Sequence, residues 1–196
     1  MRKANPELQQ QRRQQILDGA ERCFRAKGFH QASMQDIARE AGVSMGLLYR
    51  YFENKEAIVA SFATTDSAGV IALIDELAAS QRPVEFIPGM IRRLARESAD
   101  PDTMRLYTEV FAESLRNPRL FTALSESEDG VRQAMISAIK SQQAAGRLAQ
   151  LDAGALADLL FGLVDGISLR ATLVRQFKPA VAERLIGTML ASLLKP

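Results

Sequence analysis

The sequence has one cysteine, Cys23, and one histidine, His30. A single cysteine excludes an intramolecular disulfide and suits a reducing compartment. One cysteine and one histidine are too few for a transition-metal site, unless carboxylates or a second chain complete it. His30 has no neighbouring partner that would make it catalytic, and no Gly-rich phosphate loop is present. We therefore expect neither an enzyme nor a bound cofactor.

Long hydrophobic runs are also missing. The most apolar stretch, ALADLLFGLVDGISL, is interrupted by Asp158 and Asp165, whereas a membrane span needs about 18 or more apolar residues in a row. The opening MRKANPELQQQRRQQ is polar and has no secretory hydrophobic segment. These absences predict a soluble cytoplasmic protein without a membrane partner.

Neither sign of charge is in strong excess, because 25 Lys and Arg residues face 23 Asp and Glu residues, for a net charge of +2. The first 60 residues carry 10 basic and 7 acidic side chains. This mild basic bias permits a polyanionic partner but does not require one.

No segment alternates as a strand does, and apolar residues recur at helical spacing almost throughout. The pattern predicts an all-α fold of about nine helices, three short ones up to residue 52 and six longer ones. Asn54, Asp100 and Asp152 are predicted helix caps, and a helix is expected over 83–99. The Gln-rich start is expected to be frayed. A helix from Asn54 to Ala79 would be about 37 Å long and would bridge two domains.

The segment SMQDIAREAGVSMGLLYRYF, residues 33–52, reads as two short helices around one turn. Ser33 and Asp36 have the spacing of a capping box, Gly42 suits a turn that requires positive φ, and Ser44 can cap the second helix. This pattern is typical of a helix-turn-helix.

On the second short helix, one face is apolar and the other is not. Leu48 shares its face with Tyr51 and Phe52 by helical spacing, so these side chains are expected to point into the core. Met45, Gly46, Tyr49 and Arg50 are expected to face outward. An ordinary αα corner is the alternative, but it has no reason to expose a tyrosine beside an arginine.

Several of these residues also carry a resemblance. The chain resembles the TetR/AcrR family of bacterial regulators over about its first 60 residues, through SMQDIAREAGVSMGLLYRYFENKEAIV and through Ile16, Leu17, Ala20, Phe24, Lys27, Gly28 and Phe29. The segments EVFAESLRNPRL (109–120) and GALADLLFGLVDGIS (154–168) are similar to a C-terminal branch that includes choline-response repressors.

The resemblance implies a helix-turn-helix domain over 1–54 and a ligand-binding and dimerisation domain over 55–196. The residues it places at DNA are Arg13, Gln14, Ser33, Ser44, Met45, Gly46, Leu47, Tyr49, Arg50 and Lys55. Tyr49 and Lys55 match the family's phosphate-contacting positions. Family members often have Lys at position 45, Thr at 47, His at 50 and Thr at 32. This chain therefore differs from them in part of the surface that contacts DNA. Met45 and Leu47 can touch a thymine methyl but cannot donate hydrogen bonds, and Arg50 has two possible targets, a phosphate or a guanine.

The C-terminal helices are expected to hold an effector pocket, which requires an apolar cavity with a few orienting polar groups. Its predicted wall residues, each also explicable as plain core, are Phe62, Phe86, Met90, Leu94, Tyr107, Phe111, Glu113, Phe161 and Asp165. A carboxylate in that wall would favour a cationic or hydrogen-bond-donating ligand; salt bridging within the protein is the alternative.

The last two helices are apolar over wide arcs, which indicates burial on more than one side. Either they are sandwiched in their own domain or they form a symmetric subunit interface. The predicted interface residues are Leu156, Leu160, Leu163, Val164, Ile167, Leu185, Met189 and Leu193.

The resemblance implies a homodimer that binds a palindromic double-stranded DNA operator and is released by an unknown small-molecule effector, most simply a repressor. The alternative is a DNA-binding regulator that answers to a protein partner or has no small-molecule ligand.

Overall fold

The computed structural model describes residues 6–98 and 100–196. Within this part of the chain there are nine α-helices and no strand, which confirms the predicted all-α fold. The helices are α1 Pro6–Gln31, α2 Met34–Ala41, α3 Met45–Tyr51, α4 Lys55–Ala79, α5 Pro83–Glu97, α6 Pro101–Ser114, α7 Pro118–Ala144, α8 Ala153–Leu173 and α9 Pro179–Leu193.

The predicted caps are confirmed. Asn54 Oδ1 accepts a hydrogen bond from the Ala57 amide at 2.8 Å. Asp100 and Asp152 accept from the amides three residues ahead of them, at 2.9 and 2.7 Å. Each cap satisfies one of the amide groups that a helix leaves without a partner in its first turn.

Two details differ from the sequence-based expectation. The first helix is not short, because α1 has 26 residues and includes the Gln-rich segment that was expected to fray. Glutamine is a good helix former, and Gln14 and Gln15 bond to Asp18 and Arg12 on the same helix. The helix predicted over 83–99 ends at Glu97, and residue 99 lies outside the described residues.

The chain folds into two compact units. The N-terminal unit contains the described residues up to Thr64 and also Arg105–Leu124; the C-terminal unit contains Thr65–Met104 and Ser125–Pro196. Helices α4, α6 and α7 therefore have residues in both units. The domain boundary predicted at residues 54 and 55 remains a prediction about the family's modules.

The core of the N-terminal unit is built from the inward faces of α1, α2 and α3 and the start of α4. Ile16, Phe24, Ile37, Leu48 and Ile58 are all buried completely or almost completely. Burying such side chains contributes about 1.5–3 kcal/mol each before the entropy of ordering is subtracted. This core fixes α3 against α1 and α2, so its other face is left for contacts outside the unit.

The core of the C-terminal unit is formed by α5, α7, α8 and parts of α4 and α9. Gln142 is fully buried there, and its side-chain amide donates to the carbonyl oxygens of Leu77, Ala78 and Ser80 at 2.8–3.0 Å. Leu77 and Ala78 lie in the last turn of α4 and Ser80 directly follows it, where helix carbonyls have no amide four residues ahead in the helix. Gln142 thus caps α4 from a helix that lies 62–65 residues later.

Among the described residues, α4 is the one helix long and apolar enough to cross a membrane by length and composition. A core helix passes the same test. Here Ile58 and Val59 are buried in the N-terminal core, and Leu73, Ile74 and Leu77 in the C-terminal core, so part of the apolar composition of α4 serves the two cores.

Candidate DNA-binding surface

The entry to α2 is held by a complete capping box. Ser33 Oγ accepts from the Asp36 amide at 3.1 Å, and Asp36 accepts from the Ser33 amide at 3.2 Å. Asp36 also pairs with Lys27 at 2.7 Å and with Arg39. The Lys27 hydrogen bond, followed by those from Ser33, holds the pKa of the Asp36 carboxyl far below its usual range. Asp36 therefore remains negatively charged at the positive end of α2.

The turn between α2 and α3 follows the sequence-based prediction. Gly42 has φ 65° and ψ 36°, the left-handed conformation that favours glycine. Its amide bonds back to Arg39 and Ala38 carbonyls, and Ser44 then caps α3 by accepting from the Leu47 amide at 3.2 Å. The α2–turn–α3 segment is thus fixed at both helix starts and at the turn.

Helix α3 presents a mixed face to solvent. Leu48 and Phe52 are buried as predicted, and Tyr51 is half-buried. Gly46 is exposed as predicted, whereas Met45 is half-buried against the core of the N-terminal unit. The expectation that Met45 faces fully outward is therefore wrong, because the unbranched side chain reaches back to cover neighbouring apolar atoms.

Tyr49 and Arg50 are the large outward side chains of α3. Tyr49 is 53% exposed. Arg50 is exposed, and within the described part of the chain it has no hydrogen bond or ion pair. An arginine without an intramolecular partner keeps all five of its donors for an external acceptor. Leu47, half-buried beside them, has only apolar atoms to offer.

Two further candidates lie on α1. The Arg13 guanidinium carbon lies 5.3 Å from the centroid of the Phe52 ring, which follows α3. The Gln14 side chain bonds to Asp18 at 2.8 Å. Both residues are exposed, and the cation–π contact orients Arg13 toward the end of α3.

Lys55 has a structural role that the sequence did not reveal. Its ammonium donates to the carbonyl oxygens of Phe29 at 2.7 Å and His30 at 3.3 Å. It also lies 4.6 Å from the centre of the Phe29 ring. Two of the three ammonium protons are therefore directed to protein carbonyls, which leaves one for a phosphate.

Other contacts that position the helix-turn-helix were not predicted. Gln15 donates to the Ala41 carbonyl at 2.7 Å, and Arg22 donates to the Glu40 carbonyl at 2.9 Å. Both bonds join α1 to the end of α2. Glu109 of α6 accepts from the Phe29 amide at 2.7 Å. No local pattern pairs residues 29 and 109, so sequence inspection could not find this bond.

The nine residues predicted to line an effector pocket divide between the two units. Phe62, Tyr107, Phe111 and Glu113 belong to the N-terminal unit; Phe86, Met90, Leu94, Phe161 and Asp165 belong to the C-terminal unit. The rings of Tyr107 and Phe111 stack with centroids 6.5 Å apart, and both are exposed. Glu113 lies 3.7 Å from His30. No cavity inside a single unit can therefore hold all nine.

Two carboxylic acids of the C-terminal unit, Asp165 and Glu128, have raised pKa values. Burial raises the pKa of Asp165. Burial also raises the pKa of Glu128 on α7, and the negative charge of Asp165 raises it further. Both residues are nevertheless exposed overall, so the protein displaces only part of the water around each carboxyl group. A cation placed between them would relieve the cost of ionising both.

A groove of about 380 Å³ opens between α8 and α9. Its lining residues are Arg170, Val174, Gln176, Phe177, Lys178, Val181, Ala182 and Leu185. None of the nine predicted pocket residues is among them.

The predicted interface residues also divide, this time by exposure. Leu156, Leu160, Val164 and Ile167 are buried in the core of their own unit, and Leu163 packs partly against it. For the four buried residues the interface prediction is wrong and the alternative, burial in their own domain, is what the structure has, because α8 packs that side against α5. Leu185, Met189 and Leu193 on α9 are exposed, as an interface requires.

A different side of α8 is apolar and exposed. It consists of Leu159, Gly162, Gly166, Leu169 and Leu173, and we call it the outer α8 face. Their spacing of three, four, three and four residues places them along one line on the surface of α8. Nothing lies within 4 Å of a Cβ added at either glycine.

Comparison with known proteins agrees with this geometry. Residues 16–62 match the family model for bacterial regulatory proteins of the tetR family, and residues 90–195 match the model for the BetI-type transcriptional repressor, C-terminal. The chain is 31% identical over 175 residues to the HTH-type transcriptional regulator TtgR of Pseudomonas putida, covering 82% of this chain and 80% of TtgR.

Solved structures have the same fold. Salmonella enterica GusR superposes with a TM-score of 0.80 at 25% identity, over 99% of both chains. A regulator from Saccharomonospora viridis in complex with choline superposes with a TM-score of 0.69 at 22% identity, over 93% of this chain and 96% of that one. The helix-turn-helix geometry, the two family models and the curated relative together show that this chain belongs to the TetR family of transcriptional regulators and is not an enzyme.

Proposed function

We propose that the protein is a homodimeric repressor that binds a palindromic operator and is released by a small-molecule effector. The observation that carries the proposal is the exposed face of α3, where Arg50 has no partner among the described residues and Tyr49 is open beside it. The capped turn and the buried Leu48 hold this face outward.

In the proposed complex, α3 enters the major groove and the surrounding residues bind the backbone. The small residues Ser44 and Gly46 allow α3 to approach the bases closely. Arg50 contacts a phosphate in preference to a guanine, because it lies in the later half of a helix whose first residues meet the bases. Arg13, Tyr49 and Lys55 bind phosphates and set the orientation.

The proposed dimer uses the outer α8 face together with the exposed stripe of α9. Leu173 and Leu185 are 70% and 68% exposed, an unusual degree for leucine. Such apolar surface is characteristic of an interaction site when it is contiguous. Gly162 and Gly166 lie in the middle of the outer α8 face and would let a partner helix approach closely, as small residues do in other helix pairs.

The proposed effector is a small organic cation. Asp165 and Glu128 supply negative charge in a partly desolvated setting that raises both pKa values, and Phe161, one turn before Asp165, supplies an aromatic ring. The structure bound to choline belongs to a protein of the same fold, which supports a quaternary ammonium as the first compound to test. Release requires that the effector prefer the conformation in which the two α3 helices no longer match the operator.

Selection of bound duplexes from a random-sequence pool tests the DNA-binding part of the proposal. We expect an enriched inverted repeat whose half-sites are about one helical turn or more apart. Enrichment of a single unrepeated site, or of no sequence, would contradict a palindromic operator.

A thermal-shift series tests the effector class. Choline should raise the unfolding midpoint, whereas its neutral isostere 3,3-dimethylbutanol and the anion hexanoate should not. Stabilisation by hexanoate alone would contradict a cationic effector and leave the DNA-binding proposal standing.

A further inference from the structure

The corner between α1 and α2 is built on one unusual peptide conformation. Gly28 has φ 77° and ψ 164° inside α1, where the helix kinks. This region of φ and ψ is open essentially only to glycine. Phe29 and His30 follow the kink and lead through Ala32 to Ser33, the cap of α2. The placement of residues 29 and 30 therefore sets where α2 begins.

Helix α6 holds this corner through one carboxylate. Glu109 Oε2 accepts from the Phe29 amide at 2.7 Å. The same carboxylate occupies the space next to Gly28, because a Cβ added at that glycine would lie 2.7 and 2.9 Å from its two oxygens. The missing side chain at position 28 thus makes room for the acid.

Helix α4 holds the same two residues from their carbonyl groups. Lys55 donates to Phe29 O at 2.7 Å and to His30 O at 3.3 Å. The Phe29 ring is buried and lies 5.6 Å from the Phe24 ring. The amide side of the corner is therefore bound by Glu109 and the carbonyl side by Lys55.

One turn along α6, Glu113 lies 3.7 Å from His30. Both α6 contacts thus fall on the two residues after the kink. The start of α6, Pro101–Met104, belongs to the C-terminal unit, and Arg105–Ser114 belongs to the N-terminal unit. A continuous helix therefore connects residues of the proposed effector unit to the carboxylate that binds Phe29.

We infer that Glu109 is a positioning residue for DNA binding, which fixes the α1–α2 corner and so the orientation of α3. The inference rests on the proposed function, and it gives Glu109 of α6 a part beside Lys55 of α4 in holding the corner. When α6 shifts, Glu109 moves with it, and the Phe29 amide loses its acceptor. Lys55 then still binds the carbonyl side of the corner, but its amide side has lost its acceptor, and the start of α2 is held less firmly.

The test uses three variants of the full chain. Glu109→Ala removes the acceptor, and Glu109→Gln keeps an acceptor oxygen without the charge. Glu126→Ala is the charge-matched control, because Glu126 is an exposed acid of α7 that belongs to the C-terminal unit. Amide hydrogen exchange at Phe29 reports the corner, and exchange at Leu17, in the buried middle of α1, reports the stability of the unit.

We expect Glu109→Ala to speed exchange at Phe29 by about tenfold or more, as loss of a hydrogen bond to a charged group does, with little change at Leu17. Affinity for the duplex selected by the wild-type protein should fall by a similar factor. Glu109→Gln should retain most of the Phe29 protection and most of the DNA affinity. Glu126→Ala should change neither quantity. If Glu109→Ala does not fold, the test uses Glu109→Gln instead. Exchange at Phe29 should then still be faster than in the wild type, by a smaller factor.

Wild-type protection at Phe29, or wild-type affinity for the selected duplex, would overturn the inference. Equal acceleration at Phe29 and Leu17 would also overturn it, since Glu109 would then only stabilise the unit. If the wild-type protein selects no duplex, the proposed function fails, and the Phe29 exchange rate still shows whether Glu109 holds the corner.

Discussion

Gly19 of α1 lies directly against Ala41 at the end of α2. A Cβ added at Gly19 would be 2.6 Å from the Cα, Cβ and backbone nitrogen of Ala41. These are mostly backbone atoms, which cannot move aside as a flexible side chain can. The hydrogen bond from Gln15 to the Ala41 carbonyl, at 2.7 Å, holds the two helices at this distance.

We therefore expect Gly19→Ala to destabilise the N-terminal unit by about 1–3 kcal/mol, the usual cost of overpacking. Urea unfolding followed by circular dichroism measures it. Gly130→Ala on α7 is the control, because nothing lies within 4 Å of an added Cβ there and a helical alanine gains about 0.5–1 kcal/mol over glycine. Equal midpoint shifts in the two variants would contradict the close approach.

Arg50→Ala should weaken DNA binding and lower the slope of log affinity against log salt by about one, if its guanidinium neutralises one phosphate. Arg93→Ala is the control, because Arg93 pairs with Glu97 within α5. An unchanged slope together with loss of preference at one base pair would instead assign Arg50 to a guanine.

Leu185→Lys should disrupt the proposed dimer. Placing a charge within an apolar interface costs about 2 kcal/mol or more, which raises the dimer dissociation constant about 30-fold. Leu115→Lys is the matched control, because Leu115 is similarly exposed but belongs to the N-terminal unit. Sedimentation equilibrium measures both; dissociation by Leu115→Lys and not by Leu185→Lys would place the interface elsewhere.

Asp165→Asn should stabilise the protein at neutral pH. Burial raises the pKa of Asp165 in the folded state, so as pH rises the unfolded chain releases its proton first and stability falls. The asparagine variant avoids this loss. Its gain in unfolding midpoint should therefore be full at pH 7 and should vanish below the unfolded value of about 3.9.

A pH series of thermal unfolding measures the difference between Asp165→Asn and the wild type. Asp158→Asn is the control, because the hydrogen bond from Arg132 lowers the pKa of Asp158, so the sign of its effect is opposite. A destabilised Asp165→Asn at pH 7 would show that the carboxylate is paired within the protein and would contradict its proposed role as a ligand for a cationic effector.

Features determined by residues close together along the chain could be predicted from the sequence. The Ser33–Asp36 capping box and the Asn54 cap were found because each lies within three residues of its partner, and Gly42 was found because a sharp turn between helices requires its conformation. Local hydrogen-bond chemistry determines these features.

Features that depend on tertiary packing were not found. The bond between Glu109 and Phe29 joins residues 80 positions apart. On α8, Leu159 and Leu160 are adjacent and equally apolar, yet Leu160 is buried and Leu159 is 44% exposed. A helix that is apolar on most sides gives no sign of which side faces its own core. Most of the α8 residues predicted for an interface are therefore on the side that is buried in their own unit.

The number of chains in the protein–DNA complex is the most direct test of the proposed homodimeric repressor. Sedimentation velocity of the wild-type chain at micromolar concentration, with and without the selected duplex, gives the number of chains in each species. We expect a dimer of 21.6 kDa chains in free solution and a pair of chains on each inverted repeat. A chain that is monomeric in solution and binds the symmetric duplex tightly as a single copy would contradict it.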